Sequence, residues 1–147
     1  MIRKAIRSRD SIHGVTLMEL VVVMAIIGVL SAIAIPQYTK YVQRGNRVAA
    51  RGQLLAVAQY LERIHTQTFS YGASASEYTS YLSNVNADSG LVGKYTISVE
   101  LSETAFTLSA TPNDPGPNAS DECGTLTVDH RGVKGNSDGS YNTCWGR

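Results

Sequence analysis

Residues that carry out chemistry are scarce in this chain of 147 residues, which has three histidines, two cysteines and one tryptophan. The cysteines stand 21 positions apart without a CxxC pair, a poor arrangement for a metal site. The one histidine that follows an acid, in Asp129-His130, does not form a nucleophile–base–acid triad. The sequence also lacks a phosphate-binding glycine loop. We therefore expect no catalytic residue, no metal and no cofactor.

An excess of charge of either sign is also lacking, since 13 Lys and Arg stand against 12 Asp and Glu. The first 14 residues hold four of the basic side chains and one acid, which leaves nine basic and eleven acidic residues in the remainder. This balance does not indicate nucleic-acid binding across the whole surface.

One long apolar run, from Val15 to Ile35, contains Glu19 as its only charged side chain. As an α-helix this run would span roughly 30 Å, the thickness of the hydrocarbon core of a bilayer. A carboxylate inside such a segment costs on the order of 3 kcal/mol to insert. We therefore interpret Glu19 as a functional residue with a partner. The alternative is an ordinary membrane anchor in which water at the headgroups reaches Glu19.

The small residue that could mark a cleavage site, Gly14, lies before the apolar run rather than after it. A secretory signal peptide has the opposite order, with its cleavage site after the run. Cleavage at Gly14 would remove the basic leader and keep the apolar helix.

The motif GVTLME at residues 14–19, followed by the apolar run, resembles the class III signal sequence of type IV prepilins. The resemblance implies cleavage between Gly14 and Val15 by prepilin peptidase and N-methylation of Val15. Glu19 and Pro36 then become the fifth and twenty-second residues of the processed chain, positions typical of the family. Val15 departs from the phenylalanine that is most common at this position, which bears on the efficiency of methylation.

In filaments of this family the N-terminal helices bundle in an apolar core. The resemblance implies that Glu19 neutralises the amine of a processed Val15, because buried charge is tolerable when it is paired. The implied partners are other pilin subunits, the pilus assembly machinery and prepilin peptidase. Before assembly the chain would cross the inner membrane once with its N-terminus in the cytoplasm. After assembly it would lie in the extracellular pilus.

The implied fold is α+β, with a long N-terminal helix packed on a four-stranded antiparallel sheet and a disulfide-bounded C-terminal D-region. We expect a leader at 1–14, a transmembrane or filament-core helix at 15–36 and a periplasmic globular pilin domain at 37–147. Within that domain we expect a helix at 37–65, an irregular connector at 66–93, and the sheet and D-region at 94–147. Pro36 ends the apolar run without necessarily ending the helix. We leave open whether a short helix forms near residues 76–82 within the connector.

The helix after Pro36 has an apolar face with spacings of four and three, which is typical of an amphipathic helix. Its members are Ala50, Leu54, Val57, Leu61 and Ile64. A basic stripe lies to one side of this face and consists of Lys40, Arg44, Arg47 and Arg51. We interpret the stripe as a solvated face or as charges that meet acids of neighbouring subunits. Contact with DNA phosphates is the alternative.

Alternation of apolar and polar residues predicts a sheet in the C-terminal third of the chain. The four strands are expected at 95–101, 106–111, 123–129 and 133–134. Ser102-Glu103 is short enough to form the hairpin turn between the first two. Asn118-Ala119-Ser120 matches a glycosylation sequon, although this triplet is common by chance.

The two cysteines lie in the part expected outside the cytoplasm, where a disulfide between Cys123 and Cys144 is favoured. The bond would close a loop of 22 residues and stabilise the fold by about 3 kcal/mol in the chain-entropy estimate. The stretch CGTLTVD and the ending CW resemble the C-terminal parts of PilE-like and ComP-like minor pilins of type IVa systems. In pilins this disulfide-bounded segment is the D-region, and it usually faces outward.

The resemblance implies a structural, minor subunit of a type IV pilus that supports pilus biogenesis, twitching, adhesion or DNA uptake. The alternative is a ComP-like DNA receptor for natural transformation. Its contacts would be Arg131, Lys134 and Lys94, with Tyr141 or Trp145 for stacking. Only two basic residues lie between the cysteines, against two acids, which argues against strong phosphate binding. A type II secretion pseudopilin is a third alternative, and the disulfide-bounded tail argues against it.

Overall fold

The computed structural model describes residues 15–72, 75–88 and 90–146, so that Gly14 and the rest of the predicted leader lie outside the described residues. The chain divides into two compact units, Met1–Tyr38 and Thr39–Arg147. We call the second unit the head. It contains the sheet, the disulfide and the buried core.

Helix α1 runs from Leu17 to Thr68, and Pro36 lies inside it. The sequence left open whether the helix ends at Pro36, and the structure shows that it continues through this residue. The helix begins where the Thr16 hydroxyl accepts a hydrogen bond from the backbone N–H of Glu19 at 3.2 Å. Threonine followed three residues later by glutamate is the sequence of a capping box, so GVTLME also contains the start signal of its own helix.

The apolar part of α1 in the first unit leaves its large side chains exposed. Their exposed fractions range from 48% at Val22 to 82% at Leu17. By length and composition, α1 is the one helix among the described residues that could cross a membrane.

The predicted apolar face of α1 is confirmed in the head. All five of its members, Ala50, Leu54, Val57, Leu61 and Ile64, are buried. The first four belong to the same core cluster as the inward residues of the sheet. The spacing of apolar residues was sufficient to find this face because a helix packed on a sheet buries one stripe.

The sheet has four antiparallel strands in the order of the sequence. They are β1 (Tyr95–Leu101), β2 (Phe106–Pro112), β3 (Leu126–Asp129) and β4 (Lys134–Asn136). The third strand begins at Leu126 and not at Cys123, because residues before it form a turn in which the Gly124 N–H donates to the Asp121 carbonyl. Gly124 has a φ of +58° there, a conformation that favours glycine.

The expectation of an irregular connector at 66–93 is wrong over much of its length. Helix α1 continues to Thr68, and a second helix, α2, spans Ala75–Asp88. Tyr78, Leu82 and Val85 pack in the core from spacings of four and three on α2. Serine and asparagine between them obscured this periodicity in the sequence.

Side chains cover part of each edge of the sheet. On the β1 edge, the Asn86 side chain of α2 accepts from the Ile97 N–H at 2.8 Å and donates to the Ile97 carbonyl at 2.9 Å. On the β4 edge, helix α3 (Tyr141–Trp145) places the Trp145 indole N–H 2.8 Å from the Gly135 carbonyl. Unpaired strand edges promote association between chains, and these two side chains occupy backbone groups that another strand could use.

Candidate functional site

The predicted disulfide between Cys123 and Cys144 is confirmed, and both residues are fully buried. The bond joins the loop before β3 to α3, the last helix of the described chain. It encloses β3, β4 and the turn between them, so the D-region is a closed loop within the head.

Arg47 joins α1 to the loop that leads into the D-region. Its guanidinium lies 3.0 Å from the Asp121 carboxylate and 3.2 Å from Glu122, and the residue is only 4% exposed. Burial alone would lower the pKa of Arg47, but the hydrogen bond and charge of Asp121, aided by Glu122, raise it above its ordinary value. The interpretation of Arg47 as part of a solvated stripe is therefore wrong.

The signal for this role was present in the sequence. Arg47 stands three residues before Ala50, so it continues the spacing of the apolar face by one step towards the N-terminus. A charged residue in the phase of a buried face is expected to be buried and paired. The spacing could predict the burial of Arg47, but Asp121 could not be identified as its partner from 74 positions away.

Asn118 is a second buried contact between α1 and the same loop. Its side-chain amide donates to the Gln43 carbonyl at 3.2 Å and to the Asp121 carboxylate at 3.2 Å, and it accepts from Asn46 at 2.7 Å. Asn118 is fully buried. The sequon at this position is thus part of the folded core, and a glycan on this nitrogen is incompatible with the folded head.

The rest of the basic stripe divides into two kinds of residue. Arg51 donates to the Cys144 carbonyl at 3.1 Å and to the Gly146 carbonyl at 2.9 Å, so it holds the C-terminal end against α1. Lys40 and Arg44 are exposed. Together with Gln43, Ser120 and Glu122 they border a small polar depression.

Two of the three predicted DNA contacts lie on one hairpin. Arg131 is in the turn between β3 and β4, and Lys134 is the first residue of β4. Arg131 forms an ion pair of 2.9 Å with Asp129, in which the arginine side chain is 70% exposed and the aspartate side chain 18%. This hairpin is the basic surface of the D-region.

The structure does not bring Lys94 to this hairpin. Lys94 precedes β1, at the sheet edge opposite β4, and three strand spacings amount to about 14 Å. It also lies at the other end of the sheet, since Tyr95 pairs with Pro112 whereas Asp129 pairs with Thr107. Its ammonium donates to the Gly90 carbonyl at 2.9 Å. The grouping of Lys94 with the other two is therefore wrong.

The aromatic residues proposed for stacking differ in availability. The Trp145 ring lies 5.5 Å from the Lys134 ammonium, and its N–H is used on Gly135. Tyr141 is 54% exposed. Trp145 therefore positions Lys134 from the protein side, whereas Tyr141 presents its ring to the surroundings.

Two of the predicted processing and assembly residues, Val15 and Glu19, lie at the start of α1. Val15 is 72% exposed, and Glu19 in the first turn is also exposed. A carboxylate at this end of a helix is favoured by the helix dipole, whereas an amine there is not. Among the residues that the structure describes, no group of histidine, cysteine and acidic side chains could hold a metal ion.

Comparison with known families assigns the chain. A family model described as "Type IV minor pilin ComP, DNA uptake sequence receptor" matches residues 36–127, and a model of the prokaryotic N-terminal methylation motif matches residues 9–35. The chain belongs to this family of type IV minor pilins. Members of this family are structural subunits and not enzymes.

Relatives and solved structures agree with this assignment. The pilin is 35% identical over 98 residues to a Fimbrial protein of Neisseria meningitidis, a match that spans 64% of this chain and 52% of that one. It is 33% identical over 109 residues to the Type IV major pilin protein PilE of Neisseria gonorrhoeae, spanning 71% and 59%. The match therefore spans between half and three fifths of the length of these relatives.

Two solved pilins share the fold. A type IV pilin from Shewanella oneidensis has a TM-score of 0.52 and 31% identity, covering 71% of this chain and 99% of that one. The non-core minor pilin PilV of Neisseria meningitidis has a TM-score of 0.51 at 20% identity, covering 69% and 92%. The Shewanella chain is about as long as the head, and the head has its own core and disulfide, which supports its use as an isolated domain.

Proposed function

We propose that this pilin is a minor structural subunit of a type IV pilus. It is cleaved between Gly14 and Val15 by prepilin peptidase, methylated on the new amine of Val15, and assembled through its N-terminal helix. The observation that carries this proposal is the row of exposed apolar side chains that begins at Val15 and contains Glu19 alone as a charged residue. Such a row needs apolar surroundings, and a membrane and a filament core both provide them.

Pairing of Glu19 in a filament would favour transfer of this helix out of the membrane. In the bilayer its carboxylate and the processed amine of Val15 are costly to bury. In a filament the carboxylate of one subunit neutralises the amine of another, which removes part of that cost. The amine would also lie at the positive end of the α1 dipole, where it needs a nearby anion most.

The proposed route sets the location of the pilin. It crosses the inner membrane once before assembly, with its N-terminus in the cytoplasm and the head in the periplasm. After assembly the head lies on the outside of the pilus. The buried disulfide supports this route, because disulfides persist in the periplasm and outside the cell and are rare in the cytoplasm.

A matched pair of variants tests the assembly proposal. Glu19→Gln removes the carboxylate of the apolar segment, and Glu100→Gln makes the same change on the exposed face of β1. We expect Glu19→Gln to be processed but to fall at least tenfold in pili sheared from cells, whereas Glu100→Gln matches the wild type. Equal amounts of both variants in the pili would overturn the role of Glu19.

A second candidate function is that of a receptor for DNA during uptake. The match of residues 36–127 to a family model with that description favours it, since these residues make up most of the head. The head has nine basic and ten acidic residues, so any binding must come from a local surface. The Arg131–Lys134 hairpin is that surface, because its exposed charge is basic and the acid beside it is largely covered.

Retention of duplex DNA by the isolated head tests the receptor function. We expect binding at low ionic strength that weakens as salt is added, because released counterions supply much of the free energy. Binding that is absent at low salt would reject the receptor and leave the structural proposal in place.

A further inference from the structure

The turn at the tip of the β3–β4 hairpin is held by one side chain. The Asp129 carboxylate accepts hydrogen bonds from the backbone N–H groups of Arg131 and Val133, each at 2.9 Å. Gly132 allows the reversal with a φ of +75°. Burial alone would raise the pKa of Asp129, but the hydrogen bonds from Val133 and Arg131 lower it below its ordinary value, so the carboxylate stays ionised at neutral pH.

The same carboxylate fixes the side chain of Arg131. Its second oxygen accepts from Nε at 3.1 Å and from Nη2 at 2.9 Å of the guanidinium. The carboxylate is mostly covered and the arginine is mostly exposed, so the acid lies behind the base. Among the described residues no hydrogen bond is made by Nη1 of Arg131, so this nitrogen keeps its donors free. The two bonds to Asp129 fix the plane of the guanidinium.

We propose that Arg131 reads guanine in the major groove of duplex DNA, with Asp129 as its positioning residue. Guanine presents two acceptors, O6 and N7, which a planar guanidinium can bind at once. The major groove is wide enough for a two-stranded ribbon, and the β3–β4 hairpin is such a ribbon with Arg131 at its tip. This inference rests on the receptor function and names the base contact within it.

The charge of the hairpin is compatible with this contact. Lys134 adds a second cation on β4, and the Trp145 ring holds it from behind. The exposed Arg131 and the half-buried Lys134 therefore outweigh the largely covered Asp129 where DNA phosphates would approach. A phosphate contact by Arg131 is the competing role, and it would carry no sequence information.

Selection from a random duplex library by the isolated head separates these roles. The wild-type head should enrich a motif that contains guanine. Arg131→Lys keeps the charge but loses the planar pair of donors, so preference at one guanine should fall about tenfold or more. The salt dependence should stay the same, because the number of cations is unchanged. Arg63→Lys, the same change on α1, should leave the motif unaltered.

Asp129→Asn tests the positioning role in the same selection. It should reduce the preference at the guanine affected by Arg131→Lys, and a thermal melt of each variant verifies that the head is folded. An unchanged motif in Arg131→Lys, or an equal loss on every sequence, would overturn base reading while leaving the receptor function standing. If the wild-type head enriches nothing and shows no salt-sensitive binding, the receptor function itself fails.

Discussion

The apolar segment at the start of α1 and the core of the head use the same kinds of side chain in opposite ways. From Val15 to Ile35 the large apolar side chains are 48–82% exposed, whereas the apolar core residues of the head are at most 9% exposed. The head thus buries a core of its own, and the segment does not. This difference supports the proposal that the segment is covered by a membrane or a filament core, whereas the head needs neither to bury its core.

Polar groups follow the same division. In the head the buried Arg47 has Asp121 and Glu122, and the buried Asn118 has Gln43, Asn46 and Asp121. In the segment Glu19 has only exposed surroundings. Among the described residues its carboxylate forms no ion pair, which agrees with the proposal that it pairs with the processed amine of another subunit.

Loss of Arg47 is the largest expected break in the head. Arg47→Met would leave the buried Asp121 carboxylate without its cation, and we expect the free energy of unfolding to fall by about 3–5 kcal/mol. Chemical denaturation of the isolated head measures this change. Arg44→Met, an exposed change of the same kind, should shift stability by less than about 0.5 kcal/mol. Similar values for the two variants would contradict the role of Arg47 as the buried cation that pairs with Asp121.

A charge introduced into the apolar segment should weaken its insertion into the membrane. Ile26→Arg would cost roughly 3 kcal/mol at the centre of an inserted helix, so the carbonate-resistant fraction of the pilin in membranes should fall. Val48→Arg places the same charge on an exposed apolar residue of the head and should leave that fraction unchanged. Equal membrane fractions for both variants would refute insertion through the segment.

Removal of the disulfide tests how far the head depends on its own internal bonds for stability. Replacing Cys123 and Cys144 by alanine should lower the free energy of unfolding by about 3 kcal/mol, because the unfolded chain regains the freedom of its loop. Reduction of the wild-type head should produce a comparable loss in urea denaturation. A head as stable without the bond as with it would show that packing alone retains the D-region.

Tyr78 gives the smallest effect and marks an imperfection in the core. Its buried hydroxyl has no hydrogen-bond partner in the described part of the chain, and burial raises its pKa to about 12. We expect Tyr78→Phe to stabilise the head by about 1 kcal/mol at pH 8. The exposed Tyr141→Phe is the control, and a destabilised Tyr78→Phe would indicate a partner for the hydroxyl.

The same tyrosine predicts a dependence on alkaline pH. Since folding raises the pKa of Tyr78, the folded head resists its ionisation. The free energy of unfolding should therefore be unaffected by this tyrosine below its unfolded pKa of about 10 and should fall as pH rises towards 12. Denaturation curves of the wild type should therefore weaken more steeply than those of Tyr78→Phe between these values.

Periodicity predicted the parts of the fold that depend on one face of one element. The face from Ala50 to Ile64 and the alternation in β1 and β2 followed from side-chain spacing alone. The sequence left a helix in the connector open only for residues 76–82, and α2 is twice as long, because its few apolar residues are separated by serine and asparagine, which hid its ends. The composition of such a segment is a poor predictor of its structure, because only three of its side chains pack in the core.

The site could be predicted only in part, because many of its side chains pair with residues that are distant in the sequence. The basic residues were found, but their roles depended on partners that spacing does not reveal. Arg47 meets Asp121, Arg51 meets the C-terminal carbonyls, and Lys94 lies at the corner of the sheet opposite Arg131. Only the Asp129–Arg131 pair is local enough to be predicted from neighbouring residues.

Peptide mass spectrometry on pili sheared from the native cells tests the central claim most directly. The pilin should be present in the pili below the amount of the major subunit, and its first peptide should begin at a methylated Val15. A first peptide that begins at Met1 in assembled pili would contradict processing and the role given to Glu19. A pilin found in membranes and missing from the pili would contradict the pilus subunit in favour of a pseudopilin.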